Sequence, residues 1–145
     1  MKTTLGSAGS SQSAGPVRAG ALRSKYVNDS VETMSPGRQV VALYDRLLLD
    51  LDRAVDAIGN GQFPAAHDAV MHAQEIVTHL YDSLDEQQWP AARSLKDIYA
   101  FVRTELIAAN VDKDARKIVE CRKLLTPLRD AWREAAGIVA SGTGA

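Results

Sequence analysis

One cysteine, Cys121, stands in 145 residues. No intramolecular disulfide can form, and the chain fits a reducing compartment. No run of eighteen apolar residues occurs, which leaves no helical membrane span. Charge of one sign is missing too. Seventeen Lys and Arg stand against 18 Asp and Glu, a formal net of -1, where a nucleic-acid binder would carry a basic stripe or a clear excess. No long period-two alternation supports strands. No glycine-rich phosphate loop follows a strand, and no nucleophile-elbow pattern appears. The first 25 residues have no continuous hydrophobic core of the kind a secretion signal needs. The expectation is a cytoplasmic protein.

What is there is helical periodicity. After residues 1–25, rich in Ser, Gly and Ala and read as a flexible tail, comes a short polar segment, 26–34, with apolar handles at Tyr26, Val31 and Met34. This segment is expected to lie across the surface of a helical domain spanning 35–140. Ser35 is a suitable N-cap, and Pro36 is tolerated at the first helical position because its missing N–H lies among the orphan donors. From there Val40, Tyr44, Leu47, Leu51, Ala54 and Ile58 alternate by four and three, broadened by Val41, Leu48 and Val55. Gly59-Asn60-Gly61 ends that helix.

Three more stripes follow. Gln62 to Leu84 carries Phe63, Ala66, Val70, Ala73, Val77, Leu80 and Leu84. Pro90 to Ala109 carries Ala92, Leu95, Tyr99, Val102, Leu106 and Ala109, with Asn110 as a left-handed cap. Lys113 to Val139, with Asp112 as N-cap, carries Ile118, Cys121, Leu125, Leu128, Trp132, Ala135 and Val139. Four amphipathic helices joined by short links predict an all-α, antiparallel up-down-up-down four-helix bundle. Cys121 lies on the stripe and reads as a buried, inert thiol.

The sequence offers little chemistry. His67, His72 and His79 share one helix but do not make the paired Glu-x-x-His of a dimetal bundle, and they read as solvated. A phosphorelay through His72, the alternative reading, lacks the lysine and glycine expected after such a histidine. Asp112 with Arg116 reads as an exposed i,i+4 ion pair. No metal, cofactor or catalytic residue is expected, and the chain does not read as an enzyme. The informative residues are apolar ones off the stripes: Leu43 and Leu49 on the first helix and Phe101 on the third. Such residues on neighbouring helices can form grooves for a partner segment. Burying roughly 1,000 Å² there grosses about 25 kcal/mol, much of it offset by ordering the partner. Exposed stripes can equally form a homodimer.

The residues themselves carry a further signal. Tyr26, Val31, Thr33, Ser35 and Pro36, then Leu43-Tyr44-Asp45, resemble the opening of the flagellar secretion chaperone family FliS. So do Ala73-Gln74-Glu75-Ile76 with Leu80 and Ser83-Leu84-Asp85, then Leu106 through Asn110, and Leu124 through Trp132. The resemblance covers about residues 26 to 136 in register. Gly37, Gln39 and Arg46 depart from the usual pattern. The resemblance implies a four-helix bundle that binds the C-terminal segment of flagellin in the cytoplasm and prevents its early polymerisation. It also implies delivery to a component of the flagellar type III export apparatus. The segment around Tyr26 to Met34 would pack over part of the same surface. Tyr26, Val31, Met34, Leu43, Leu49 and Phe101 are the client-binding or gating candidates.

Overall fold

The computed structural model describes residues 35–138, and the chain divides after Gln39. The expected tail (1–25), surface segment (26–34) and Val139 lie outside the described residues. Within 35–39, Ser35 Oγ accepts the Arg38 amide at 3.3 Å and Ser35 O the Gln39 amide at 3.0 Å. The serine acts as the cap its position predicted.

Four helices make up the rest: α1 (Pro36–Gly59), α2 (Phe63–Asp82), α3 (Ala92–Asp112) and α4 (Ala115–Ala135). Their cross-contacts fix the topology. Thr78 with Arg103 and His67 with Asn110 run α2 against α3. Glu105 with Lys117 runs α3 against α4. Asp45 with Arg129 and Asp52 with Arg122 run α4 against α1. Each pair pairs rising numbers with falling ones, so neighbours are antiparallel and α4 closes the ring onto α1. The closest backbone approaches are α2 with α3 and α3 with α4. Small buried residues, among them Ala66, Ala73 and Ala109, permit that closeness, while α1 fills its share of the core with Tyr44, Leu47 and Leu51.

The stripes hold, with local corrections. Gly61 takes the left-handed conformation at φ +71°. The Gln62 amide bonds back to Ala57 O and the Gly61 amide to Ile58 O, the paired bonds that close a helix end around glycine. Gly137 ends α4 in the same way, its neighbour Ile138 bonding to Arg133 O. At the end of α3 the expectation fails. The helix runs past Asn110, and Lys113 (φ 52°) takes the left-handed position while the Asp114 amide bonds to Ala109 O. The N-cap of α4 is therefore Asp114, which accepts the Arg116 amide at 3.0 Å, not Asp112. Arg116 also makes its ion pair with Asp114 rather than with Asp112. α3 starts later than expected, because Asp85 organises the preceding turn by accepting the Gln87 amide on its side chain and the Trp89 amide on its carbonyl. Phe63, placed on a packed stripe by spacing, is exposed at the first residue of α2.

Candidate functional site

A short polar chain crosses the core between α1 and α3. The Tyr44 and Tyr99 hydroxyls lie 2.5 Å apart and both rings are buried. Burial first, then the neighbouring Tyr99, raises the Tyr44 hydroxyl far above its ordinary range, so it stays protonated. The Trp132 indole adds a polar contact to both hydroxyls, and Trp89 packs edge-on against Trp132 with ring centroids 6.0 Å apart. Burial, and secondarily Glu105 and Glu120, push the Cys121 thiol up to about 12. Such a thiol is no nucleophile at neutral pH.

The face between α1 and α2 is polar and inward-tied. Asp50 is the one charged side chain buried among the described residues, 2% exposed. It accepts from Arg46 Nε at 3.3 Å and from His72 Nδ1 in a short hydrogen bond. His72 is thus half-buried and partnered, not solvated as its spacing implied. The reason is Asp50, 22 residues away in sequence, which no local periodicity could reveal. Beside the pair lies an open recess of about 480 Å³, lined by Arg53, Asp56, Asp68 and alanines 57, 65 and 69. Arg46 is one wall of that arrangement.

The sequence-derived candidates end up in different places. Tyr26, Val31 and Met34 lie outside the described residues. Leu43 is corrected: it is half-buried and packed against the core cluster, because it sits four residues before Leu47 on the same stripe. Leu49 is exposed (42%), between residues of the charged outer face of α1 such as Asp45, Asp52 and Arg53. Phe101 is exposed (52%) and lies on another side of the bundle. Leu49 and Phe101 are therefore not brought together.

Spacing alone missed several other exposed apolar side chains: Phe63 and Met71 on α2, Ile107 and Val111 on α3, and Val119 and Leu124 on α4. They could have been found by asking which apolar residues fall three or four positions from a residue on the helix edge, once the edges were known. Among the described residues no group of three or more His, Cys, Asp or Glu could hold a metal ion. No described helix is long and apolar enough to cross a membrane.

A family model described as Flagellar protein FliS matches residues 18–139. The chain belongs to the FliS family. It is 29% identical over 110 residues to the flagellar secretion chaperone FliS of Bacillus subtilis (strain 168), covering 76% of this chain and 82% of that relative. It is 28% identical over 110 residues to the flagellar secretion chaperone FliS of Salmonella typhimurium (strain LT2), covering 74% and 82%. The FliS match takes in all four helices.

Proposed function

We propose that this chain is a cytoplasmic export chaperone that binds the C-terminal region of flagellin. In this reading it keeps flagellin from polymerising early and aids its delivery to the flagellar type III export apparatus. The observation that carries the reading is family membership over nearly the whole bundle, with both relatives named as flagellar secretion chaperones. The exposed apolar residues on the helices support it, because a client can be held by burial alone. In this reading Tyr26, Val31 and Met34 are client-binding or gating residues, and Leu49 and Phe101 are client contacts.

Titration calorimetry of the purified chain with monomeric flagellin tests the proposal. Binding that disappears when the C-terminal segment of flagellin is deleted is the expected result. Undiminished binding to the truncated flagellin would sink it. For the gate, Tyr26→Ala is expected to change flagellin affinity while leaving unfolding nearly unchanged. Destabilisation above about 3 kcal/mol, the size of a core truncation, would place Tyr26 in the core instead.

A further inference from the structure

His72 and His67 lie on the same helix, α2, and their partners hold them in opposite tautomers. Asp50 is a carboxylate and can only accept, so the neutral His72 ring donates from Nδ1 and keeps a lone pair on Nε2. At His67 the direction reverses. Lys113 Nζ donates to Asn110 Oδ1 at 2.6 Å, which turns the Asn110 amide nitrogen towards His67 Nδ1 at 2.9 Å. His67 Nδ1 therefore accepts, and the hydrogen of its neutral ring sits on Nε2. His79, the third histidine of α2, is exposed like His67.

His72 thus has what an attacking imidazole needs, a lone pair on one side of the ring and a carboxylate behind it. Its side chain is 19% exposed and lines the recess of about 480 Å³, which has room for a reagent of a few heavy atoms. When Nε2 attacks an electrophile, the ring gains positive charge. The buried Asp50 meets that charge through the Nδ1 hydrogen, where water screens it little. Arg46 and Arg53 stand four residues before and three after Asp50, on the same edge of α1, and both line the recess. Arg46 gives only its Nε to Asp50, at 3.3 Å, so its two Nη groups can meet the oxygens of an incoming group. Asp56 and Asp68 line the recess too, and the two guanidinium groups offset them. Paired guanidinium forks suit the oxygens of a phosphoryl group.

We propose that His72 is a phosphoryl-acceptor site, modified at Nε2 by a small donor that carries a labile P–N bond. The Nε2 lone pair forms the new N–P bond, the P–N bond of the donor breaks, and its electron pair leaves on the amine nitrogen. With phosphoramidate the leaving group is ammonia. The Nδ1 hydrogen stays on the ring, and the resulting ring cation is paired with Asp50. One P–N bond replaces another, and no oxidant or reductant is consumed. The lysine and glycine that a relay histidine shows in sequence are not needed for this step, because Arg46 and Arg53 supply the cationic flank from the neighbouring helix. The site goes beyond the chaperone reading and does not depend on it.

Treatment of the full chain with phosphoramidate near neutral pH tests the proposal. The time course at each histidine is read by mass spectrometry of peptides prepared at alkaline pH, where the N–P bond survives. Access alone would label the exposed His67 and His79 first. The proposal predicts the reverse, with His72 labelled about tenfold faster than His79, and His67 slowest of the three. Labelling of His72 no faster than that of His79 would overturn it. Asp50→Asn puts an amide against Nδ1 and should slow His72 about tenfold or more while leaving His79 unchanged. An unchanged His72 rate in that variant, folded by circular dichroism, would overturn the proposal as well. Arg53→Gln, at an exposed position, decides the matter if Asp50→Asn unfolds. It should slow His72 about threefold without affecting His79, and equal His72 rates with and without Arg53 would count against the site.

Discussion

The α1–α2 face and the flanks of α3 treat exposed surface in opposite ways. Between α1 and α2, charged groups turn inward: Asp50 is buried and held by Arg46 and His72. Along α3, apolar groups turn outward: Phe101, Ile107 and Val111 stay in water although the core lies within one helical turn. Neither arrangement follows from stability alone. A buried carboxylate is expensive unless fully partnered, and its replacement by apolar residues is often neutral or better. Large apolar groups left half exposed contribute less to folding than the same groups fully buried. The contrast sets a face whose buried charge is tied between two helices against one whose apolar groups stand in water.

Breaking the first side of the contrast gives the largest expected effect. His72→Ala strands Asp50 with a single, partly exposed partner and should lower unfolding free energy by about 3 kcal/mol. Urea denaturation measures it, and flagellin affinity of the folded variant should stay the same. A loss under 1 kcal/mol would mean that Arg46 alone suffices for Asp50. The other side should show the reverse pattern. Phe101→Ala is expected to weaken flagellin binding about tenfold, or about 1.4 kcal/mol, with stability within about 0.5 kcal/mol of the unaltered chain. Leu49→Ala, in its charged surroundings, should weaken binding less than Phe101→Ala.

A third test addresses the core between these faces. Tyr44→Phe leaves the Tyr99 hydroxyl without its 2.5 Å partner and should cost about 1 kcal/mol. Its pH dependence has a defined sign. Burial holds the Tyr44 hydroxyl and the Cys121 thiol protonated in the folded chain, the thiol rising from 9.0 to about 12. The unfolded chain releases these protons near pH 9 to 10, so it binds fewer protons than the native state there. Stability should therefore fall as pH climbs above about 9, and the fall should be shallower in Tyr44→Phe. Cys121 should resist thiol reagents at pH 8 until denaturant unfolds the bundle. The smallest effect is expected at Lys113, a non-glycine residue at φ 52°. Lys113→Gly should stabilise by about 0.5 kcal/mol, less than the full relief because the Lys113 Nζ bond to Asn110 at 2.6 Å is lost.

The helices and their inward stripes were legible because a period of 3.6 is a local property, and so were the ends marked by Ser35-Pro36 and Gly61. The boundary between α3 and α4 was not. Asn110, Asp112, Lys113 and Asp114 all suit caps or turns, and tertiary fit decided that Lys113 accepts the strained conformation while Asp114 caps. The Asp50–His72 pair joins residues 22 apart, and Thr78 meets Arg103 only once the seam of α2 with α3 is fixed. Such cross-helix partnerships depend on helix rotation and register, which no single stripe specifies. Leu43 shows the converse error. It lies beside the stripe of Val40, Tyr44 and Leu47, and its four-residue step to Leu47 brings it against the core cluster.

The central claim, that the chain holds the C-terminal region of flagellin through exposed apolar residues and not through the α1–α2 recess, is tested most directly by methyl spectra of the labelled chain. The measurement adds a peptide of the flagellin C-terminal region. The account predicts that the Met71, Ile107 and Leu124 methyl signals shift or broaden while those of Ala57 and Ala65 hold still. Unmoved α3-flank signals, with changes confined to the alanines of the recess, would contradict it.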